Sequence, residues 1–268
     1  MSADVALEDV GVRFGRVEAV SGVTAVAAAG RVTALLGPNA SGKSTILRTM
    51  AGLLRPTCGQ VQIGGVSPGR MSARDRAATI AWVPARPTVA APFTVAEVVA
   101  MGRHARPADP AAIADAMERM DLGQIAGRRW PELSTGQQQR CALARAMAQR
   151  AGGGPGVLIL DEPSAGLDLR HVAALGPHLR AAADGGSAVV VAVHDLAQAA
   201  EWADDAWLIN GGRLALAGDA TSVVASDAIE RVFGVRVAWA DVDGRRVPVP
   251  VPVARAVSQE PGAVSREP

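Results

Sequence analysis

The sequence predicts an α/β fold with a mainly parallel sheet, because three short segments read as strands buried on both faces. Each is a largely continuous apolar run, and they occupy residues 31–36, 157–160 and 187–193. Continuous apolar character is typical of strands that are covered by helices on both sides. Polar residues follow all three runs. Since such sheets bind ligands at the carboxyl ends of their strands, we expect those polar residues to share one edge.

The first run leads into a turn that matches a phosphate-binding loop. Residues 37–45 read GPNASGKST, and strand, G-x-x-x-x-G-K-[ST] and helix is the context that such a loop requires. Gly37 and Gly42 permit the turn that directs backbone N–H groups at a phosphate. Lys43, the one lysine among 27 Lys and Arg residues, is expected to reach the β- and γ-phosphates, and Ser44 to bind Mg²⁺. An accidental glycine-rich turn would not explain why the only ammonium side chain lies here.

The other two runs lead to acidic residues and a histidine. Asp161 and Glu162 follow the second run, and His194 follows the third. Asp161 suits indirect binding of Mg²⁺, and Glu162 suits orienting or deprotonating a water molecule. A lone histidine at a strand end is more often structural. The shared edge with two carboxylates nevertheless favours a catalytic or phosphate-sensing role for His194.

Composition narrows the class of protein. The 268 residues are 49% hydrophobic with a net charge of +1, which fits one large domain, or a domain with an inserted lobe, and shows no basic patch for nucleic acid. Cys58 and Cys141 lie far apart and are expected to be buried thiols in a reducing compartment. We expect no signal peptide and no membrane-spanning segment. The predicted protein is soluble and cytoplasmic, so any membrane role needs a partner.

The first third of the chain alternates between strands and turns. Residues 4–36 show alternating apolar positions with turns at Gly15 and Gly30, which predicts antiparallel strands. Phe14, one of three phenylalanines, is equally compatible with core packing and with stacking on an adenine base. Residues 56–65 are expected to form a turn and a short strand, and residues 79–83 another buried strand.

The middle of the chain is predicted to form a separate, mostly helical lobe at residues 94–150. A proline-rich loop at 85–93 precedes it, Thr94 caps a helix, and a second helix occupies 109–120. Ser134 is a natural N-cap for a third helix, with Gln137 in the capping-box position. This helix start is compatible with a simple capped helix or with a second anion site, because the small Gly136 leaves N–H groups accessible.

The last third is predicted to contain a hairpin and a tail. Asn210 and Gly211 indicate the turn of a hairpin at 207–216. Alternating prolines at 248, 250 and 252 exclude a central strand. The composition beyond Arg255 is that of a disordered tail. The histidines outside the predicted site are expected at the surface, at His104, His171 and His178.

The chain resembles the ATP-binding cassette (ABC) ATPases over residues 4 to about 235. The resemblance lies in the order of its motifs: the phosphate loop, then Leu-Ser-x-Gly-Gln, then a strand followed by Asp-Glu, and then a strand followed by His. The resemblance implies a P-loop NTPase (RecA-like) core, an N-terminal antiparallel β-subdomain and an inserted helical signature subdomain. The implied nucleotide-binding domain spans 1–240, with its core at 1–84 and 151–240 and the helical subdomain at 85–150. A C-terminal extension at 241–268 is expected to be partly disordered.

Site residues carry over by motif. The resemblance implies that ATP is bound by Phe14, Gly37, Pro38, Asn39, Ala40, Ser41, Gly42, Lys43, Ser44, Thr45, Ser134, Thr135, Gly136, Gln137 and Asp168. Residues 134–137 fall on the signature motif and 164–168 on the D-loop. Ser44 and Asp161 are the implied Mg²⁺ ligands, and Glu162, His194 and Lys43 the implied catalytic residues, with His194 on the switch histidine.

The resemblance also implies partners. Members clasp two ATP molecules head to tail in a dimer, so we expect a homodimer docked on integral-membrane permease subunits, peripheral on the inner face of the cell membrane. Residues 94–103, 167–171 and 232–235 look like ATPase subunits of importers for iron-siderophores, haem and cobalamin, which also use a substrate-binding protein. A groove beside residues 85–103, with Val89, Phe93 and Val95, is the expected permease contact.

Two residues depart from the family pattern. Thr135 replaces the usual first glycine of the signature and adds bulk beside the phosphate site. Ala85 replaces a glutamine that helps to hold Mg²⁺ and water, so we expect slowed or differently coupled hydrolysis, by about 10–100-fold for a lost positioning group.

Other cassette functions remain alternatives at this stage. An exporter ATPase has a similar build, and Ala85 is compatible with a regulatory module of impaired hydrolysis. A chromosome-maintenance ATPase would need a long coiled coil between the phosphate loop and the signature, and a translation-associated cassette protein would need a second phosphate loop. The sequence shows neither feature.

Overall fold

The computed structural model describes residues 3–152 and 154–253. Its strands are β1 (Val5–Phe14), β2 (Val17–Ala27), β3 (Val32–Leu36), β4 (Cys58–Ile63), β5 (Ile80–Val83), β6 (Val157–Asp161), β7 (Ala188–Ala192), β8 (Asp205–Asn210), β9 (Arg213–Asp219), β10 (Val235–Val242) and β11 (Arg245–Pro252). Its α-helices are α1 (Lys43–Met50), α2 (Ala73–Thr79), α3 (Val95–Ala100), α4 (Pro110–Arg119), α5 (Thr135–Arg150), α6 (Leu169–Asp184), α7 (Leu196–Trp202), α8 (Ala220–Val224) and α9 (Asp227–Phe233). Short 3-10 helices occupy Pro68–Arg70, Met101–Arg103, Gly123–Ile125 and Trp130–Glu132.

The central sheet has six strands in the order β5-β6-β7-β3-β8-β9. All neighbours are parallel except β8 and β9, which form a hairpin. Every residue of β3, β6 and β7 is buried, as expected for strands with both faces covered. The predicted α/β fold is therefore confirmed, and the carboxyl ends of these three strands lie at the same edge.

The hydrophobic core lies on both faces of the central sheet. Alternate residues of β3 belong to different apolar clusters, since Val32 and Ala34 pack with the helices while Leu35 packs with Ile46 and the N-terminal strands. Those strands form the predicted antiparallel sheet, in the order β2-β1-β4. The phosphate-loop helix α1 is thus held between two sheets.

The predicted helical segment contains α3, α4 and α5, and its caps are confirmed. Thr94 forms a capping box with Glu97: the Glu97 N–H donates to Thr94 Oγ1 at 3.3 Å, and the Thr94 N–H donates to the Glu97 carboxylate at 2.7 Å. Asp109 caps α4, with Pro110 at the first helical position. Among the helices of residues 3–152 and 154–253, none is long and apolar enough to span a bilayer.

Three predictions about individual residues were wrong. Cys58 is exposed, because it opens the outer strand of a three-stranded sheet; Cys141 is buried as expected. His171 is buried rather than at the surface, since side chains from two other segments cover its ring. The hairpin turn is shifted by one residue, because Asn210 pairs with Arg213 and leaves Gly211 and Gly212 as the turn.

The C-terminal prolines form part of a strand rather than a tail. Within residues 3–152 and 154–253, β11 pairs only with β10, and Pro248, Pro250 and Pro252 occupy alternate positions of that ladder. Their missing N–H groups therefore all lie on one side, where a two-stranded ladder needs no donor. The expected extension at 241–268 is therefore ordered in its first part, because residues 241–253 contain the end of β10 and all of β11. The predicted disordered tail beyond Arg255 lies outside the described residues.

Candidate functional site

The phosphate loop connects β3 to α1, and Lys43 is its central side chain. Lys43 is 5% exposed, and its Nζ donates to the carbonyl oxygens of Gly37 at 2.7 Å and of Pro38 at 3.0 Å. Burial lowers the pKa of Lys43, opposed by the negative charges of Glu162 and Asp161. The helix N-terminus that follows has no side-chain cap. Its N–H groups and the ammonium therefore suit an anionic ligand.

The loop is fixed by close backbone packing. Gly42 (φ 107°) and Gly212 (φ 77°) both adopt left-handed conformations, and a Cβ on either would lie 2.8 or 2.7 Å from the Ala19 carbonyl oxygen. The Gly212 N–H donates to the Ser41 carbonyl at 2.9 Å, and the Ser21 N–H donates to the Gly212 carbonyl at 2.9 Å. The β8–β9 turn thus braces the phosphate loop against β2.

A cavity of about 370 Å³ opens beside the loop. It is lined by Val17, Glu18, Ala19, Asn39, Ala40, Ser41, Gly42, Lys43, Ser44, Thr45, Glu162, Gly211 and Gly212. The sequence predicted the loop residues and Glu162 but missed the contributions of β2 and of the β8–β9 turn. No local signal marks those positions, because they reach the loop only through the fold.

Asp161 ends β6 next to the loop and is almost fully buried, at 3% exposed. Burial raises the pKa of Asp161, and a hydrogen bond from the Ser44 hydroxyl opposes that shift. Its Oδ1 atom is buried without a hydrogen-bond partner in the described part of the chain. A buried carboxylate oxygen in need of a partner, next to a hydroxyl, fits Mg²⁺, which prefers hard oxygen ligands.

Glu162 and His194 meet at the carboxyl edge of the sheet. The Glu162 backbone has a φ of 50°, and its N–H donates to the Ala192 carbonyl at 3.1 Å. His194 Nε2 lies 2.5 Å from Glu162 Oε1, and the two side chains are 43% and 32% exposed. The imidazole therefore holds a partly solvent-accessible carboxylate that lines the cavity.

The structure does not bring every predicted residue to this cavity. Phe14 is absent from the cavity lining, but it pairs with the lining residue Val17 in the β1–β2 ladder and is 51% exposed. Ser134 caps α5 through a capping box: the Gln137 N–H donates to Ser134 Oγ at 3.3 Å, and the Ser134 N–H donates to Gln137 Oε1 at 3.0 Å. Residues 134–137 and Asp168 are absent from the cavity lining.

Ala85 follows β5 at the same edge of the sheet. β5 pairs in parallel with β6, and this ladder ends with Val83 opposite Leu160, so Ala85 lies two residues beyond the ladder, at the edge of the sheet that also carries Asp161 and Glu162. Alanine at this position offers neither a hydrogen-bond donor nor an acceptor to them.

Comparison with known proteins identifies the family. A model of the ABC transporter family matches residues 20–165. The chain is 38% identical over 264 residues to the hemin import ATP-binding protein HmuV of Bradyrhizobium diazoefficiens, covering 96% of this chain and 98% of that protein. It is 43% identical over 235 residues to HmuV of Nocardia farcinica, covering 84% and 79%.

Solved structures agree on the fold. A putative metal-chelate type ABC transporter in an inward-facing conformation matches with a TM-score of 0.75 at 23% identity, over 94% of this chain and 98% of that one. A dimeric ATP-binding cassette bound to ADP and Pi matches with a TM-score of 0.70 at 24% identity, over 81% and 98%. The phosphate loop, the strand-end carboxylates and these matches lead to one conclusion. The chain belongs to the ABC transporter family and is an ATP-binding subunit with ATPase activity.

Proposed function

We propose that this chain powers the import of haem through a partner permease. The observation that carries the proposal is its 38–43% identity to proteins named hemin import ATP-binding proteins, over 84–96% of its length. The sequence alone left iron chelates, haem and cobalamin open, and an exporter as the alternative direction. The relatives' names favour haem and import.

We infer the following roles at the site. The N–H groups of residues 37–45 and the Lys43 ammonium hold the β- and γ-phosphates of ATP. Ser44 and Asp161 hold Mg²⁺, which, when bound, neutralises charge on those phosphates. Glu162 orients or deprotonates the attacking water, and His194 holds Glu162 in position. Phe14, which is exposed and pairs with the cavity-lining Val17, stacks on the adenine.

The remaining residues act in a homodimer in this proposal. Lys43 and Glu162 line the cavity, whereas residues 134–137 and Asp168 are absent from its lining. A second copy in head-to-tail arrangement would supply its own capped α5 N-terminus to the γ-phosphate. Hydrolysis then waits for closure, and reopening can move the permease.

The permease is proposed to dock on a groove of about 350 Å³ that includes Leu53, Trp82, Met101 and Arg145 in its lining. Leu53 and Met101 are exposed apolar side chains, and such a groove suits a partner helix. The expected contact through Val95 was wrong, because this residue is fully buried in the core. Phe93 is exposed enough to contribute. This docking would place the protein at the inner face of the membrane. The substrate-binding protein would act on the opposite side of the same membrane.

Transport by the reconstituted complex tests the proposal. The permease is identified by co-purification with an ATP-trapped Glu162→Gln variant, and the wild-type complex is then placed in proteoliposomes with hemin, a ferric siderophore or cobalamin. We expect ATP-dependent hemin uptake that the Glu162→Gln complex lacks. Uptake of cobalamin or of the siderophore without hemin would contradict the haem assignment. Turnover no higher than that of Glu162→Gln would favour the alternative of a binding module with impaired hydrolysis.

A further inference from the structure

His171 is a buried imidazole that the proposed reaction does not use. It occupies the third position of α6, directly after the loop 164–168, and its side chain is 9% exposed. Its backbone N–H donates to Asp168 Oδ1 at 3.0 Å, and its Nδ1 donates to the same oxygen at 2.7 Å. These hydrogen bonds lower the pKa of Asp168. Asp168, which caps α6, is therefore held in its ionised form by His171.

The other ring nitrogen faces a different segment. His171 Nε2 lies 3.3 Å from Asp121 Oδ2 and 3.4 Å from Arg140 Nη1. Asp121 also pairs with Arg170 at 2.7 Å. Asp121 follows α4 and Arg140 belongs to α5, so both come from the helical segment. A neutral ring can accept from Arg140, and a protonated ring can donate to Asp121, so Nε2 has a partner in either state.

Arg140 fixes this arrangement from the helical side. Its Nη1 also donates to the carbonyl oxygens of Met120 at 2.6 Å and Asp121 at 3.0 Å. The charged groups that face the ring are thus Asp168, Asp121 and Arg140, with Arg170 behind Asp121. The imidazole therefore bridges the Asp168 carboxylate of one segment and the Asp121 and Arg140 side chains of another.

The start of α5 also contacts the loop 164–168, through residues other than His171. A Cβ on Gly136 would collide with the Gly166 carbonyl oxygen, so the two backbones are in direct contact. Gln139 Nε2 donates to the Pro163 carbonyl at 3.4 Å. The loop after Glu162 is therefore bound to the helical segment at its beginning, middle and end.

We propose that His171 is a positioning residue that locks the loop 164–168 to the helical segment, so that this loop and the capped α5 N-terminus move as one body. The consequence for catalysis rests on the proposed function, in which both elements meet ATP held by a second copy. One rigid unit would then deliver Ser134 and Asp168 together. Without the bridge, the end of the loop would lose its attachment to the helical segment and would have to be ordered during closure, which slows turnover but leaves binding at the copy's own phosphate loop unchanged.

Hydrogen exchange of the full chain tests the bridge without reference to activity. In His171→Ala we expect amides of residues 164–169 to exchange roughly five- to tenfold faster, as for loss of a buried hydrogen bond. His171→Asn can still donate to Asp168 but cannot reach Asp121 or Arg140. It is expected to behave like His171→Ala. Wild-type exchange in His171→Asn would show that only the cap on Asp168 matters and would overturn the proposal.

Steady-state ATP hydrolysis separates positioning from folding. We expect both His171 variants to lower kcat by about 10–100-fold with an unchanged KM for ATP, while the half-buried His178→Asn on the same helix keeps wild-type values. A rise in KM, or equal losses in His178→Asn, would indicate general destabilisation and overturn the proposal. A wild-type chain no more active than Glu162→Gln would contradict the proposed function instead, and hydrogen exchange would still decide the role of His171.

Discussion

Gly212 shows how a residue remote in sequence can determine the shape of the phosphate loop. It lies in the β8–β9 turn, yet it contacts Ala19 and donates to Ser41 of the loop. Lys43 and Ser44 could be predicted because their motif is continuous in sequence. Gly212 could not, because its importance arises only when β8 and β2 meet. Asn210 and Gly211 predicted a hairpin turn at this place in the chain, but not what the turn supports.

Substituting Gly212 by alanine should therefore damage the site. The left-handed backbone costs about 1–2 kcal/mol with a Cβ, and that Cβ would lie 2.7 Å from the Ala19 carbonyl oxygen. We expect lower unfolding free energy in urea and weaker binding of a fluorescent ATP analogue. Gly211→Ala is the matched control, since its φ is 53° but a Cβ would meet nothing within 4 Å. Equal effects of the two substitutions would mean that contact with Ala19 is unimportant.

Replacing Ala85 is expected to increase ATPase activity rather than to reduce it. Because Ala85 lies at the edge of the sheet that carries Asp161 and Glu162, Ala85→Gln would add a donor and an acceptor at that edge. We expect kcat for ATP to rise by about 10-fold or more, the scale of an added positioning group. Steady-state turnover with the permease present measures this. An unchanged or lower kcat would show that the chain does not need this glutamine.

At the scale of whole elements, helix starts were the most predictable feature. Thr94 and Ser134 were expected as caps, and both accept a backbone N–H in the structure; Asp109, expected as the first residue of its helix, is also a cap. Capping involves residues only three positions apart, so the sequence contains the whole interaction. β11 was not expected, because alternating prolines argue against a central strand but are compatible with a two-stranded ladder. The ladder depends on a partner strand, which local sequence does not reveal.

The cap of α5 can be measured directly. Ser134→Ala removes the acceptor for the Gln137 N–H and should lower the unfolding free energy by about 1 kcal/mol. Ser134→Asn keeps a side-chain acceptor and is expected to recover most of that loss. Urea unfolding of the three proteins gives the comparison. An alanine variant as stable as wild type would show that the capping box contributes nothing to folding.

Over the whole molecule, the α/β class and the shared edge of Asp161, Glu162 and His194 could be predicted from the apolar runs alone. The order β5-β6-β7-β3-β8-β9 could not, because nothing within one strand specifies its neighbours. Contacts that fix this order join distant segments. Asp204 is one of them: its carboxylate accepts from the Val32 N–H of β3 at 2.8 Å and from Arg180 of α6 at 2.9 Å.

Asp204 should make stability depend on pH. Burial raises the pKa of Asp204. The hydrogen bonds from Arg180 and the Val32 N–H together lower it by more than burial raises it, so the net shift of the pKa is downward. A lowered folded-state pKa stabilises the fold above the unfolded value of about 3.9, and this stabilisation is lost as the pH falls through the folded pKa. We expect Asp204→Asn to cost about 1–3 kcal/mol at neutral pH, with a smaller difference from wild type below about pH 4.

Urea unfolding across that pH range tests this expectation. Asp184→Asn, which changes an exposed carboxylate at the end of α6, the helix of Arg180, is the control and should show little difference at any pH. A cost of Asp204→Asn that stays constant from neutral to acidic pH would contradict an electrostatic origin.

The solitary lysine has a practical consequence for anyone handling the protein. Nζ of Lys43 is the only side-chain amine in the chain, and it is enclosed within the phosphate loop. Acylating dyes, crosslinkers and amine-coupled sensor surfaces therefore find no harmless lysine on the exterior. Any label that does attach to a lysine marks a molecule whose nucleotide site has been altered, so attachment through the exposed thiol of Cys58 is the chemistry to choose.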